Sequence, residues 1–183
     1  PQISDDDMSA MDQAVAHLVA LGHEHIGLAV GPRRYVPVQR KEQGIRAAMA
    51  RRLAGRGKVT VSNTVFSVDG GARAAVNLLD QGVSAIICGS DLMALGAIRA
   101  ARAQGLTVPH DVSVIGSDDS ALMRYTNPPL TSLRQDVGLI STMAVQSLMG
   151  LIRGDATFLG ERLVRPELVK RGTTGPIRLA PAA

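Results

Sequence analysis

Two short apolar runs, Ala85-Ile86-Ile87-Cys88 and Val112-Ser113-Val114-Ile115, each end in a Gly-Ser-Asp triplet: Gly89-Ser90-Asp91 and Gly116-Ser117-Asp118. A brief apolar run closed by glycine and an acidic turn reads as a buried strand. The first triplet opens a helix at Leu92-Met93-Ala94-Leu95-Gly96-Ala97. Two such units predict one parallel sheet, and the strand C-termini of such a sheet line a ligand crevice. No catalytic constellation accompanies them.

The rest of the chain repeats this grammar. Met8, Met11, Val15, Leu18 and Val19 share a helical spacing behind Asp5-Asp6-Asp7, carboxylates that suit a helix N-terminus, and Gly22 stops the helix. Strands are predicted at His25–Val30 and Val59–Phe66, and a helix over 37–54 carries Ile45, Ala48, Met49 and Leu53 on one side. Gly70-Gly71 open a helix that runs through Leu79, and a further helix spans Asp91–Ala103. A short extended segment at Leu130–Arg134 precedes a helix over Val137–Ile152. Leu163–Lys170 is read as one last strand, an edge strand because Pro166 interrupts it. Residues 172–183, rich in Gly, Pro and Ala, read as a frayed tail. Helices alternating with strands predict an α/β fold, an open parallel sheet with helices on both faces.

Composition removes several function classes. With 45% hydrophobic and 20% charged residues, the 183-residue chain has the make-up of an ordinary globular protein. Aromatics are only 2%, which disfavours a stacking platform for single-stranded nucleic acid. The net charge of +4 is spread over scattered basic residues, and the densest run, Arg51-Arg52 with Arg56 and Lys58, reads as a solvated helix end. The lone Cys88 offers no disulfide, and the four His include no HExxH pair, so no metal is expected. No apolar run is long enough to span a bilayer. GxGxxG, GxSxG and Walker loops are all absent, so no enzyme and no cofactor is expected.

Five segments resemble the signatures of the LacI/GalR transcriptional regulators. His17-Leu18-Val19-Ala20-Leu21-Gly22-His23-Glu24-His25-Ile26 is similar to their HLxxLGHxxI. Ser90-Asp91-Leu92-Met93-Ala94-Leu95-Gly96 resembles NDxxAxG. The run Gly105 to Asp119 resembles GxxVPxDxSVIGxDD, Pro128 to Gln135 resembles PPLTTxxQ, and Leu168 to Thr174 resembles LVxRxST. The five stand in family order and cover almost the whole chain.

The resemblance implies the C-terminal part of an effector-binding domain: Rossmann-type lobes of the periplasmic-binding-protein kind, the C-terminal lobe nearly whole and a second lobe incomplete. Residues 1–21 are expected in the N-terminal lobe, 22–130 in the C-terminal lobe, 131–160 in the crossover and return helix, 161–171 in the last strand, and 172–183 in the tail. The chain starts at Pro1 in mid-pattern, so it is expected to be a fragment or processed product, with a helix-turn-helix head for operator DNA upstream.

The same resemblance nominates effector contacts. They are Asp118 as hydrogen-bond acceptor, Phe66 as aromatic stacker, Ser90 and Gln135 as polar contacts, Lys41 where the family has arginine, and Ser9 where many members have aspartate. Asp91 and Asp119 are expected to cap helices. Leu95 and Ile98, expected to be exposed on their helix, fall in the family's dimer interface. The function implied is a cytoplasmic, ligand-responsive repressor that binds a sugar, sugar phosphate or nucleobase and acts as a homodimer, with no membrane partner. The alternative is the periplasmic solute receptor of a transporter, which shares the fold.

Overall fold

Consecutive parallel strands require crossovers, and the sequence supplies a capped helix for nearly every one. In the computed structural model, which describes residues 2–154 and 160–177, the chain order is β1 (Gln2–Asp5), α1 (Asp7–Ala20), β2 (His25–Val30), α2 (Val36–Leu53), β3 (Lys58–Asn63), α3 (Val68–Leu79), β4 (Ala85–Cys88) and α4 (Asp91–Ala103). There follow β5 (Ser113–Asp118), a 3-10 turn (Ala121–Tyr125), β6 (Thr131–Arg134), α5 (Val137–Arg153), β7 (Glu161–Val164) and β8 (Glu167–Val169).

The large sheet runs β3-β2-β4-β5-β6-β8, parallel except for β8, which pairs antiparallel with β6 at the edge. The chain moves from β2 outward to β3 and then returns to place β4 on β2's other side. That reversal opens a crevice at the carboxyl ends of β2 and β4. Alternate residues of each strand feed opposite faces. Ile86 and Val114 join Ala74, Leu78, Met93 and Ala97 of α3 and α4 in one buried layer. Ile26, Leu28, Ile87 and Ile115 join Met11, Leu18, Ile45 and Met49 of α1 and α2 in the other.

Capping explains where the helices start. Asp6 accepts from Ser9 N, Ser67 from Gly70 N, Ser90 from Met93 N, and Asp136 from Leu139 N. Of the three leading carboxylates, only Asp6 is the cap of α1. Ser90, rather than the expected Asp91, caps α4. Asp119 caps nothing: its carboxylate takes Arg134 Nε at 2.8 Å and Arg171 at 2.6 Å. Burial works against that charge, but the hydrogen bonds from Arg171 and then Arg134 outweigh it and hold the carboxyl below its usual range.

Four expectations need correction. Residues 1–21 do not form one unit of the N-terminal lobe, because α1 packs on α2 and buries Met11, Val15 and Leu18 in the large-sheet core. Only β1, which the sequence did not reveal, leaves that body; it pairs parallel with β7 in a separate two-stranded sheet. The last strand is really two: Pro166 lies between β7 and β8, and the chain passes there from the small sheet to the large one. The strand expected over 59–66 stops at Asn63.

The fourth correction concerns the tail. Thr173 is fully buried; its hydroxyl donates to Val114 O at 2.6 Å and accepts from Thr131 N at 2.9 Å. Ile177 N bonds Leu21 O, and the buried His23 ring bonds Ser84, Ser113 and Gly175 O. Residues 172–177 are therefore docked, not frayed. The remainder of the expected tail, 178–183, and the end of the return segment, 155–159, lie outside the described residues.

α5 exposes Val137, Val145, Leu148 and Ile152 and touches β1. Among the described residues no helix is long and apolar enough to cross a membrane.

Candidate functional site

The crevice at the sheet reversal holds a cleft of about 370 Å³, lined by Asp5, Asp7, Val38, Lys41, Phe66, Gln135 and Ile140 among others. This volume falls within the ordinary range for small-ligand sites.

Phe66 forms one wall. It follows β3, is 47% exposed, and lies over the ends of β2 and β4. A Cβ on Gly31 would overlap its ring, and one on Gly89 would come within 3.1 Å. Glycine at both strand ends thus lets the ring lie against backbone with its other face to the cleft. A flat, half-open aromatic of this kind suits the apolar face of a ligand.

The opposite wall is charged. Lys41 of α2 makes an ion pair with Asp7, the first residue of α1, and both side chains are largely buried. Asp5, at the end of β1, turns a buried Oδ1 toward this group with no hydrogen-bond partner. Burial, and after it the Asp7 charge, raise the Asp5 carboxyl above its usual range against the pull of Lys41.

Asp118 ends β5 with φ of 110°, a backbone state rare outside glycine. Gln135 Nε2 donates to its Oδ1 at 3.0 Å. The residue is open to solvent on one side, yet desolvation of its carboxyl, and then the Asp91 carboxylate, push it up to about 6. The folded value lies above the unfolded one, so the folded protein holds this proton more tightly. Its contribution to stability is therefore full below an ordinary 3.8 and is lost as pH rises through about 6. Asp118→Asn is expected to flatten that slope, read as urea midpoints measured from about pH 4 to about pH 7.

Asp91 lies beneath this floor and is 1% exposed. It accepts from Ser132 Oγ at 2.6 Å and from both the backbone N–H and the hydroxyl of Ser120 at 2.7 Å. A Cβ on Gly116 would sit 2.5 Å from its Oδ1, so the glycine of the second triplet makes room for the aspartate of the first.

The sequence-nominated residues therefore divide. Lys41, Phe66 and Gln135 meet in the cleft, and Gln135 ties Asp118 to it. Ser90 spends its hydroxyl on the α4 cap. Ser9 sits in the first turn of α1 and is not among the cleft-lining residues. Leu95 and Ile98 border a separate surface groove with Arg99, Arg102 and Pro128; Ile98 is buried at 6%, and it is Leu92 that the helix exposes. Sequence reasoning missed Asp5 and Asp7 as cleft residues, although the acidic run was visible as such.

A family model described as a periplasmic binding protein-like domain matches residues 15–174. An HTH-type transcriptional regulator from the aml 5′ region of Streptomyces limosus is 51% identical over 177 residues, covering 95% of this chain and 50% of that protein. The chain is a periplasmic binding protein-like domain of the LacI/GalR family. It spans about half the length of the curated relatives it matches. Two solved structures place this LacI/GalR domain among its kin. A dimeric Lac repressor with an 11-residue C-terminal deletion superposes with a TM-score of 0.87 at 32% identity, over 96% of this chain and 64% of that one. A complex of the transcriptional regulator CelR with cellobiose superposes at 0.85 and 33% identity, over 93% and 53%.

Proposed function

We propose that this chain is the C-terminal part of the ligand-sensing domain of a bacterial DNA-binding regulator, a repressor that answers to a sugar. The observation that carries this reading is the cleft at the sheet reversal. It pairs one aromatic face, Phe66, with acceptors and a cation on the opposite wall, Asp5, Asp7 and Lys41, and with Gln135, which is hydrogen-bonded to Asp118. A sugar ring has an apolar face and a rim of hydroxyls, and this arrangement complements both.

The sugar closes the cleft between the large-sheet lobe and the lobe that contains the small sheet and α5. Closure changes how a helix-turn-helix head upstream engages operator DNA, by a coupling of typically about 1–3 kcal/mol. The protein acts in the cytoplasm as a homodimer, with the groove beside Leu95 and Ile98 in its interface. It acts by binding rather than by turnover, a reading supported by its resemblance to named transcriptional regulators. The resemblance of the chain to named regulators leaves the solute-receptor alternative without support.

Calorimetry on the full-length protein with cellobiose, maltose and ribose tests this. At least one sugar is expected to bind, and Phe66→Ala is expected to weaken it about tenfold, the equivalent of about 1.4 kcal/mol. A Phe66→Ala protein that binds as tightly as wild type refutes the assignment of this wall.

A further inference from the structure

The cleft's charge pattern narrows the ligand class within the sugar-sensing reading, on which this inference rests. We infer that the site takes a neutral sugar and discriminates against its phosphorylated counterpart.

Among the described residues two carboxylates line the cleft, Asp5 and Asp7, and a third, Asp118, is hydrogen-bonded to the lining residue Gln135, against one lining cation, Lys41. That cation is already committed. Its ammonium is paired with Asp7, whose side chain is 3% exposed, and Lys41 itself is 14% exposed. Lysine offers a point charge, not the bidentate fork with which arginine grips a phosphate. Among the described residues no arginine lines the cleft, and Arg40 and Arg134 are engaged elsewhere. Arg40 spends both terminal nitrogens on Glu161, at 2.7 and 3.0 Å, and Arg134 bonds Asp119 and Glu167. Of the helix N-termini, the other common phosphate sites, α1, α3 and α4 carry side-chain caps, Asp6, Ser67 and Ser90; α2, whose Pro37 and Val38 line the cleft, has none, but Pro37 has no N–H to offer and Val38 N bonds Tyr35 O at 3.1 Å.

The orphaned acceptor points the same way. Asp5 Oδ1 is buried without a partner, and a buried acceptor requires a donor. A sugar hydroxyl placed there donates; a phosphate dianion in the same position cannot. The carboxylate of Asp118 likewise retains acceptor capacity beyond the single bond from Gln135. The cleft therefore rewards hydroxyls and repels anions, and Phe66 adds affinity that does not depend on charge.

The test is calorimetry on the full-length protein with matched pairs: maltose and maltose 6′-phosphate, cellobiose and cellobiose 6′-phosphate, glucose and glucose 6-phosphate. The neutral member of the bound pair is expected to bind at least a hundredfold tighter. Asp7→Asn frees Lys41 and is expected to shrink that ratio at least tenfold. Should that variant fail to fold, Asp5→Asn serves in its place and is expected to shrink the ratio in the same direction. A phosphorylated sugar that binds as well as its parent overturns the inference while leaving the sugar-sensing reading standing. A ratio unmoved in the folded variant also overturns it. Failure of both members of every pair to bind overturns the sugar-sensing reading, and the inference with it.

Discussion

Gly96→Ala is expected to destabilise the protein by about 3 kcal/mol, although alanine is the better helix former by about 1 kcal/mol. The reason is the crossing of α3 and α4. A Cβ on Gly96 would overlap the carbonyl of Val68 and press on the backbone of Ala72; a Cβ on Gly71 would overlap the carbonyl of Met93. Both helices thus present a glycine at their point of contact, and the clash is with backbone, which no side-chain rotation relieves. Separating the helices opens the layer formed by Ala74, Leu78, Met93 and Ala97. Gly105→Ala is the control. Gly105 has φ of +78° and open space around it, so alanine there meets only backbone strain of about 1 kcal/mol. Urea denaturation of the two variants separates the effects. Equal losses refute the crossing.

Asp91→Ala is expected to cost about 3 kcal/mol and to loosen the segment that carries Asp118. Asp91 is a buried carboxylate held by three hydrogen bonds from Ser120 and Ser132. Bonds to a charged group contribute about 1.5–3 kcal/mol each, and alanine leaves the Ser120 N–H and two hydroxyls without this partner. These bonds join α4 to the 119–120 turn and to β6, the two elements that flank the Asp118 floor. Asp91 is also the second cause of the raised Asp118 carboxyl. Removing it is therefore expected to lower the Asp118 titration toward the ordinary range, a change that carbon-detected NMR of the side chain reads directly. A Asp118 titration that stays near about 6 in a folded Asp91→Ala protein shows that burial alone sets it.

The large sheet was legible because its signals are local. β2, β4 and β5 are short apolar runs with a glycine or acidic stop, and α1, α3, α4 and α5 carry their period and their cap within a few residues. The small sheet was not. Gln2–Asp5 has no apolar alternation, and its partner Glu161–Val164 lies at the far end of the chain, so only tertiary pairing defines either strand. Asp5-Asp6-Asp7 shows the same limit at the level of single residues. All three read as helix-start carboxylates, yet Asp6 caps, Asp7 pairs with Lys41, and Asp5 ends a strand. In the cleft, Phe66, Lys41 and Gln135 were found through family resemblance. The platform under Phe66 was written in Gly31 and Gly89, but a glycine's reason for being small is visible only when its neighbour is. Thr173 was hidden in a Gly- and Pro-rich stretch whose composition outweighed the one hydroxyl that anchors it.

The most direct test of the central claim is a crystal structure of the full-length protein with the sugar it binds most tightly. The expected result is a ring stacked on Phe66, with hydroxyls donating to Asp118 and Asp5 and the Lys41–Asp7 pair on the opposite wall. A sugar bound away from the sheet reversal, for example in the surface groove beside Arg33, Glu42 and Arg46, contradicts the account.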